Sequence, residues 1–175
     1  MPITRTAMID DDGSGTTGTI LNNAWKQELY NQIDAFVAAS GLSVDTTYVT
    51  TWNGTGGVPT LGNGTLQGIY WTLGRICVGS IRLVLGSTTT IGGGAWVFSL
   101  PLPPSPGAQG QRILGVADIL DVSVGGYVGV AEMFGGDPNY LLVIGQNMPN
   151  GVPVGSPFVW APGDSLMVQF RYERA

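Results

Sequence analysis

The chain has 175 residues, no histidine, one cysteine and only 11% charged side chains, with seven basic against twelve acidic residues and a formal net charge of −5. Histidine runs most acid–base chemistry near neutral pH, and His and Cys clusters build most zinc sites, so little is left here from which to make the common hydrolases, transferases and metalloenzymes. Few and scattered basic residues, with a pI near 4.3, argue against binding nucleic acid through its phosphates.

What is abundant is Gly (28) and Pro (11), with many Thr, Val, Leu and Ile, a composition of short strands joined by tight turns. A mean hydropathy of +0.22 is high for a soluble monomer. It implies a surface of uncharged polar residues, part of it buried against other copies.

Residues 1–19 read as an arm: an extended start, then Asp10, Asp11 and Asp12, then GSGTTGT. The start has no apolar core of a secretory signal, and no apolar run in the chain reaches the roughly 18 residues of a membrane helix. Gly13 to Gly18 matches G-x-G-x-x-G, but no buried strand precedes it and three aspartates beside it would repel phosphate, so a nucleotide site is not expected. Asp10, Asp12 and Ser14 resemble the start of a calcium loop, yet Leu21 stands where the bidentate Glu is required. The acidic cluster reads as a solvated or Arg-paired patch, with Asp10–Asp12 and Arg5 also candidates for contact with a neighbouring subunit.

Residues 20–39, ILNNAWKQELYNQIDAFVAA, form one predicted amphipathic helix. Leu21, Trp25, Leu29, Ile33, Phe36 and Val37 fall at spacings of four and three on one stripe, and Ser40-Gly41 supplies a stop. Thr19 or Asn22 would cap its start. A lone amphipathic helix is marginal in water, so the stripe must pack either on its own β-domain or against helices of other copies.

From residue 42 the pattern turns to strands. A first one is expected over Val44–Trp52, followed by turns at 53–57 and 62–64. Further strands are expected at 75–86, with Ile81, Leu83 and Leu85 on one face, and at 95–100, with Trp96, Phe98 and Leu100 on one face. PLPPSPG at 101–107 reads as a rigid surface loop. The remaining strands fall near 112–120, 127–134 and 140–145, and over Asp164–Tyr172, where Leu166, Val168, Phe170 and Tyr172 alternate with polar positions. About eight strands at such intervals predict a mainly β fold: a jelly-roll or β-sandwich domain over 42–175, preceded by an arm and helix over 1–41.

Chemistry is sparse. Cys77 lies in a β-branched run and reads as a small core residue. Asp118, Asp121, Glu132, Asp137 and Asp164 are present, but no two stand out as a glycosidase pair, and Asp164 after Pro162-Gly163 reads as a turn residue. Trp52, Tyr70, Trp71, Tyr127, Tyr140 and Trp160 suit a core or interface better than a sugar-binding face. No catalytic residue, cofactor or metal ligand is expected.

The opening TRTAMIDDDGSGTTGTILNNAWKQELYNQID (4–34) resembles the N-termini of bacteriophage virion proteins. YWTLGRICVGSIRLVLGSTTTIGGGAWVFSLP (70–101) and PFVWAPGDSLMVQFRYE (157–173), with W-x-F-S-L-P and F-x-W-x-x-G-D-x-L, resemble distal β-domains of phage fibres and head appendages, which are similar to trimeric C1q and tumour-necrosis-factor jelly rolls. The resemblance implies a non-enzymatic virion protein, a homotrimer decorating the capsid or forming a short tail appendage. Residues 1–40 would hold it to other virion proteins and bring three chains together. Arg5, Asp10, Asp11, Asp12, Trp25, Leu29, Ile33 and Phe36 would then be attachment or oligomerisation residues. The alternative is a module binding a host receptor or glycan through loops 53–65, 101–111 or 146–157.

Overall fold

The computed structural model describes residues 23–110, 112–145, 151–152 and 157–175. Helix α1 spans Asn23–Ala39, and its start before residue 23 lies outside the described residues. Its sequence is rich in strong helix formers, and two side-chain pairs at i, i+4 brace it: Gln27 Nε2 donates to Asn31 Oδ1 at 2.9 Å and Gln32 Nε2 to Glu28 Oε1 at 3.0 Å. The expected stop is where the helix ends. Ser40 N–H still reaches the Phe36 carbonyl, and Gly41 takes the left-handed conformation at φ 60° that a side chain would resist.

Nine strands follow: β1 (Thr46–Tyr48), β2 (Trp52–Gly54), β3 (Thr65–Leu73), β4 (Ile76–Val84), β5 (Trp96–Ser99), β6 (Ile113–Asp121), β7 (Gly125–Met133), β8 (Tyr140–Gly145) and β9 (Ser165–Glu173). They form one antiparallel sheet in the order β1-β3-β4-β9-β6-β7-β8-β5-β2. The fold is mainly β, a curled sheet of the sandwich or jelly-roll kind. The strand expected over Val44–Trp52 is instead two short ones, because this segment leaves the β3 edge and joins the β5 edge. Only residues 49–51 separate β1 from β2, so one stretch of chain closes the sheet on itself. Ser99 stitches that seam: Thr51 N–H donates to its Oγ at 2.8 Å, and its own N–H donates to the Thr51 carbonyl at 3.0 Å.

The core fills the curl. Cys77, Ile81 and Leu83 of β4, Trp96 and Phe98 of β5, and Leu166, Val168, Phe170 and Tyr172 of β9 point inward, as their alternation predicts. β3 shows no simple polar/apolar alternation, because its inward positions mix Leu66 and Tyr70 with Gly68 and Thr72 while the apolar Ile69, Trp71 and Leu73 point outward. The proline-rich segment 101–107 is more embedded than a surface loop: Pro104 bridges Arg174, and Ser105 and Ala108 are buried.

Candidate functional site

Strand direction gives the domain two unlike poles. Ser40 at the end of α1 accepts a hydrogen bond from Gly74 N–H (2.8 Å) in the β3–β4 turn, and Ser43 pairs with Thr72 beside it. Ile76 pairs with Glu173, so the C-terminal end of β9 lies at this pole with the helix junction. At the opposite pole lie the ends of β2, β4 and β6 and the starts of β3 and β9, since Thr65 pairs with Val84, and Val84 and Leu120 both pair with Ser165.

The loops sort accordingly. Segments 55–64 and 85–95 cross at the far pole and brace each other through the Gly57–Gly93 and Thr60–Thr90 bridges, with the two threonine hydroxyls 2.7 Å apart. Asn63 adds bonds to Thr88 and Ser87. The 101–111 loop, grouped by sequence with the other candidate binding loops, sits instead at the helix pole, because it follows the outgoing end of β5 and bonds to the C-terminus. Of the 146–157 loop, only residues 151, 152 and 157 are among the described residues.

An aromatic row underlies the far pole. Trp52 meets Trp96 edge-on at 4.9 Å, Trp96 meets Trp160 at 4.6 Å, Trp160 meets Phe158 at 4.6 Å, and Phe158 meets Tyr127 at 5.5 Å. Trp96 donates its indole N–H to the Ile91 carbonyl, whereas the buried indole N–H groups of Trp52 and Trp160 have no acceptor. Most of these rings are therefore core, in line with the reading of the sequence.

The carboxylates considered for catalysis are largely engaged in structure. Asp164, buried, accepts from Val122 N–H at 3.0 Å and from Ala161 N–H at 2.6 Å, the turn role expected of it. Asp121 accepts from the hydroxyl and N–H of Ser123, and these bonds hold its carboxyl below the usual range. Glu132 pairs with Arg112, and Asp137 caps Asn139. Asp118 alone of the five stands exposed with no ion pair, among the described residues. Cys77 is fully buried against Tyr172, and burial pushes its thiol pKa up.

Among the described residues, two apolar surfaces are exposed. On α1, Leu29 and Ile33 are each 39% exposed and Phe36 74%, and among the described residues none of α1 joins the core cluster, although Lys26 near the helix start is buried. Trp25 lies in α1, but its side chain is outside the described residues, as are Arg5, Asp10, Asp11 and Asp12. The second surface went unnoticed in the sequence. The outward face of β3, β4, β9 and β6 carries Ile69, Trp71, Val78, Val116 and Met167 around a concavity of about 560 Å³. The apolar i, i+2, i+4 run Ile69, Trp71, Leu73 is the local signal that this face leaves in the sequence.

No protein-family model matches the chain. Over 114 residues, 65% of this chain, it is 34% identical to the "Mu-like prophage FluMu defective tail fiber protein" of Haemophilus influenzae, and the match covers 18% of that protein's length. Among solved structures, the Dettilon tailspike protein aligns with a TM-score of 0.48 at 13% identity, over 74% of this chain and 23% of that one.

Proposed function

We propose that this chain is a structural component of a bacteriophage virion: a non-enzymatic tail appendage that assembles as a homotrimer. Residues 1–41, with Arg5, Asp10, Asp11, Asp12 and the α1 stripe, attach it to other virion proteins and gather the copies. Residues 42–175 form the projecting β-domain. The similarity to a prophage tail fibre protein supports the class of assembly. The observation that carries the mechanism is the exposed stripe of Leu29, Ile33 and Phe36 on a helix whose C-terminal end is joined to the β-domain at one pole. A 17-residue helix gains little in water by itself, and helices of neighbouring copies supply the missing apolar partner. The test is incorporation: particles assembled with a chain lacking residues 1–40 should contain none of it, while the truncated β-domain still folds. Normal incorporation would overturn the reading.

A second reading, binding of a host receptor or glycan, is favoured by the far pole. Loops 55–64 and 85–95 present Thr and Asn groups on a mutually braced frame away from the helix junction. Double substitution of Asn63 and Thr60 to Ala should reduce host adsorption without changing incorporation. Unchanged adsorption would count against this role.

A further inference from the structure

The outward face of β3–β4–β9–β6 is unusual for the solvent side of an antiparallel sheet, which ordinarily carries polar residues. Val116 is 54% exposed, Met167 41% and Ile69 41%. Its charged groups include Arg82 and Asp118 and, beside the concavity, Asp45 and Arg171. Met167 of β9 pairs directly with Arg82 of β4 on one side and with Asp118 of β6 on the other. Residues opposite each other in a sheet share a face, so Arg82, Met167 and Asp118 form one outward row. With strands about 4.8 Å apart, the arginine and aspartate columns lie roughly 10 Å from each other. Neither residue has an ion pair in the chain, among the described residues.

We propose that this face is a contact surface for a second copy of the same chain, with the copies arranged around an axis parallel to β9 so that Arg82 of one faces Asp118 of the next. The proposal rests on the self-association argued above and names the surface that takes part. Around such an axis the β3–β4 wing of one copy meets the β6–β7 wing of its neighbour. Positive therefore meets negative on either side of Met167, which Ser165 and Gln169 flank on the outward face of β9. The same axis runs from pole to pole, so it brings every α1 junction to one end, where a common attachment point requires them, and every far-pole loop to the other. The mixed signs also suit a surface that meets itself, whereas a strongly acidic or basic partner would call for one sign.

The test is sedimentation equilibrium of the full-length chain and four variants: Met167→Glu, Arg82→Glu, Asp118→Arg and the double reversal Arg82→Glu/Asp118→Arg. All three positions are exposed, so each variant should keep the wild-type circular dichroism spectrum and melting point. Wild type should associate, and Met167→Glu should not. Each single reversal should weaken association by roughly tenfold or more, and the double reversal should restore it. Association of Met167→Glu and both single reversals at wild-type strength would overturn the proposal. If Leu29→Glu/Ile33→Glu then dissociated, self-association through α1 would stand without this face. A monomeric wild type would overturn both.

Discussion

Tyr172 and Leu102 are bonded twice: the tyrosine hydroxyl donates to the Leu102 carbonyl at 2.6 Å and accepts the Leu102 N–H at 3.1 Å. The residues are 70 positions apart, and the pair fastens the segment after β5 to the last strand. Tyr172 is almost fully buried and lies against Cys77, and burial pushes its pKa well above the ordinary phenol value. Tyr172→Phe leaves a partly buried N–H and carbonyl without partners. It should cost about 2 kcal/mol, which for a chain this long lowers the melting point by several degrees. Urea and thermal unfolding of the two proteins would measure it.

Cys77 should behave as an inert core thiol. With no solvent exposure and a pKa raised first by burial, it should react with a thiol reagent at pH 8 only as fast as the domain opens. Labelling should be immediate and complete in denaturant. Prompt labelling of the native protein would contradict the packing of β4 against β9.

The far-pole turn between β6 and β7 gives a pH dependence. A carboxylate held below its ordinary pKa in the folded state stabilises the fold above about pH 4, the unfolded value, and that contribution disappears as pH falls through the depressed folded value. For Asp121 the cause is first the Ser123 hydroxyl and then its N–H. The melting point of wild type should therefore fall toward that of Asp121→Asn as pH is lowered from 5 to 3. Ser123→Ala should show a smaller fall over the same range. Parallel curves for wild type and Asp121→Asn would contradict this role.

Much of this fold is legible in the sequence. The alternation in β9, the Trp96–Phe98–Leu100 pattern and the Gly41 stop each encode their element locally. The role of Asp164 follows from its place after Pro162-Gly163, although its reach to Val122 N–H does not, since that contact spans 42 residues. Three features depend on relations that no local pattern records. Closure of the sheet by residues 46–54 depends on which edges meet. β3 hides because Gly68 and Thr72 face the core, Gly68 leaving room for the Tyr48 ring packed over it. The Arg82–Met167–Asp118 row joins three strands distant in sequence and exists only through register. For the candidate site, the helix stripe was evident from periodicity, while the sheet face and the separation of the loops into two poles were not.

Self-association is decided by the native mass of the full-length chain, measured by light scattering at micromolar concentration. A homotrimer gives about 55 kDa, three times the 18.3 kDa protomer, falling to a single protomer when Leu29 and Ile33 are both replaced by Glu. A wild-type mass of one protomer, unchanged by those substitutions, would contradict it.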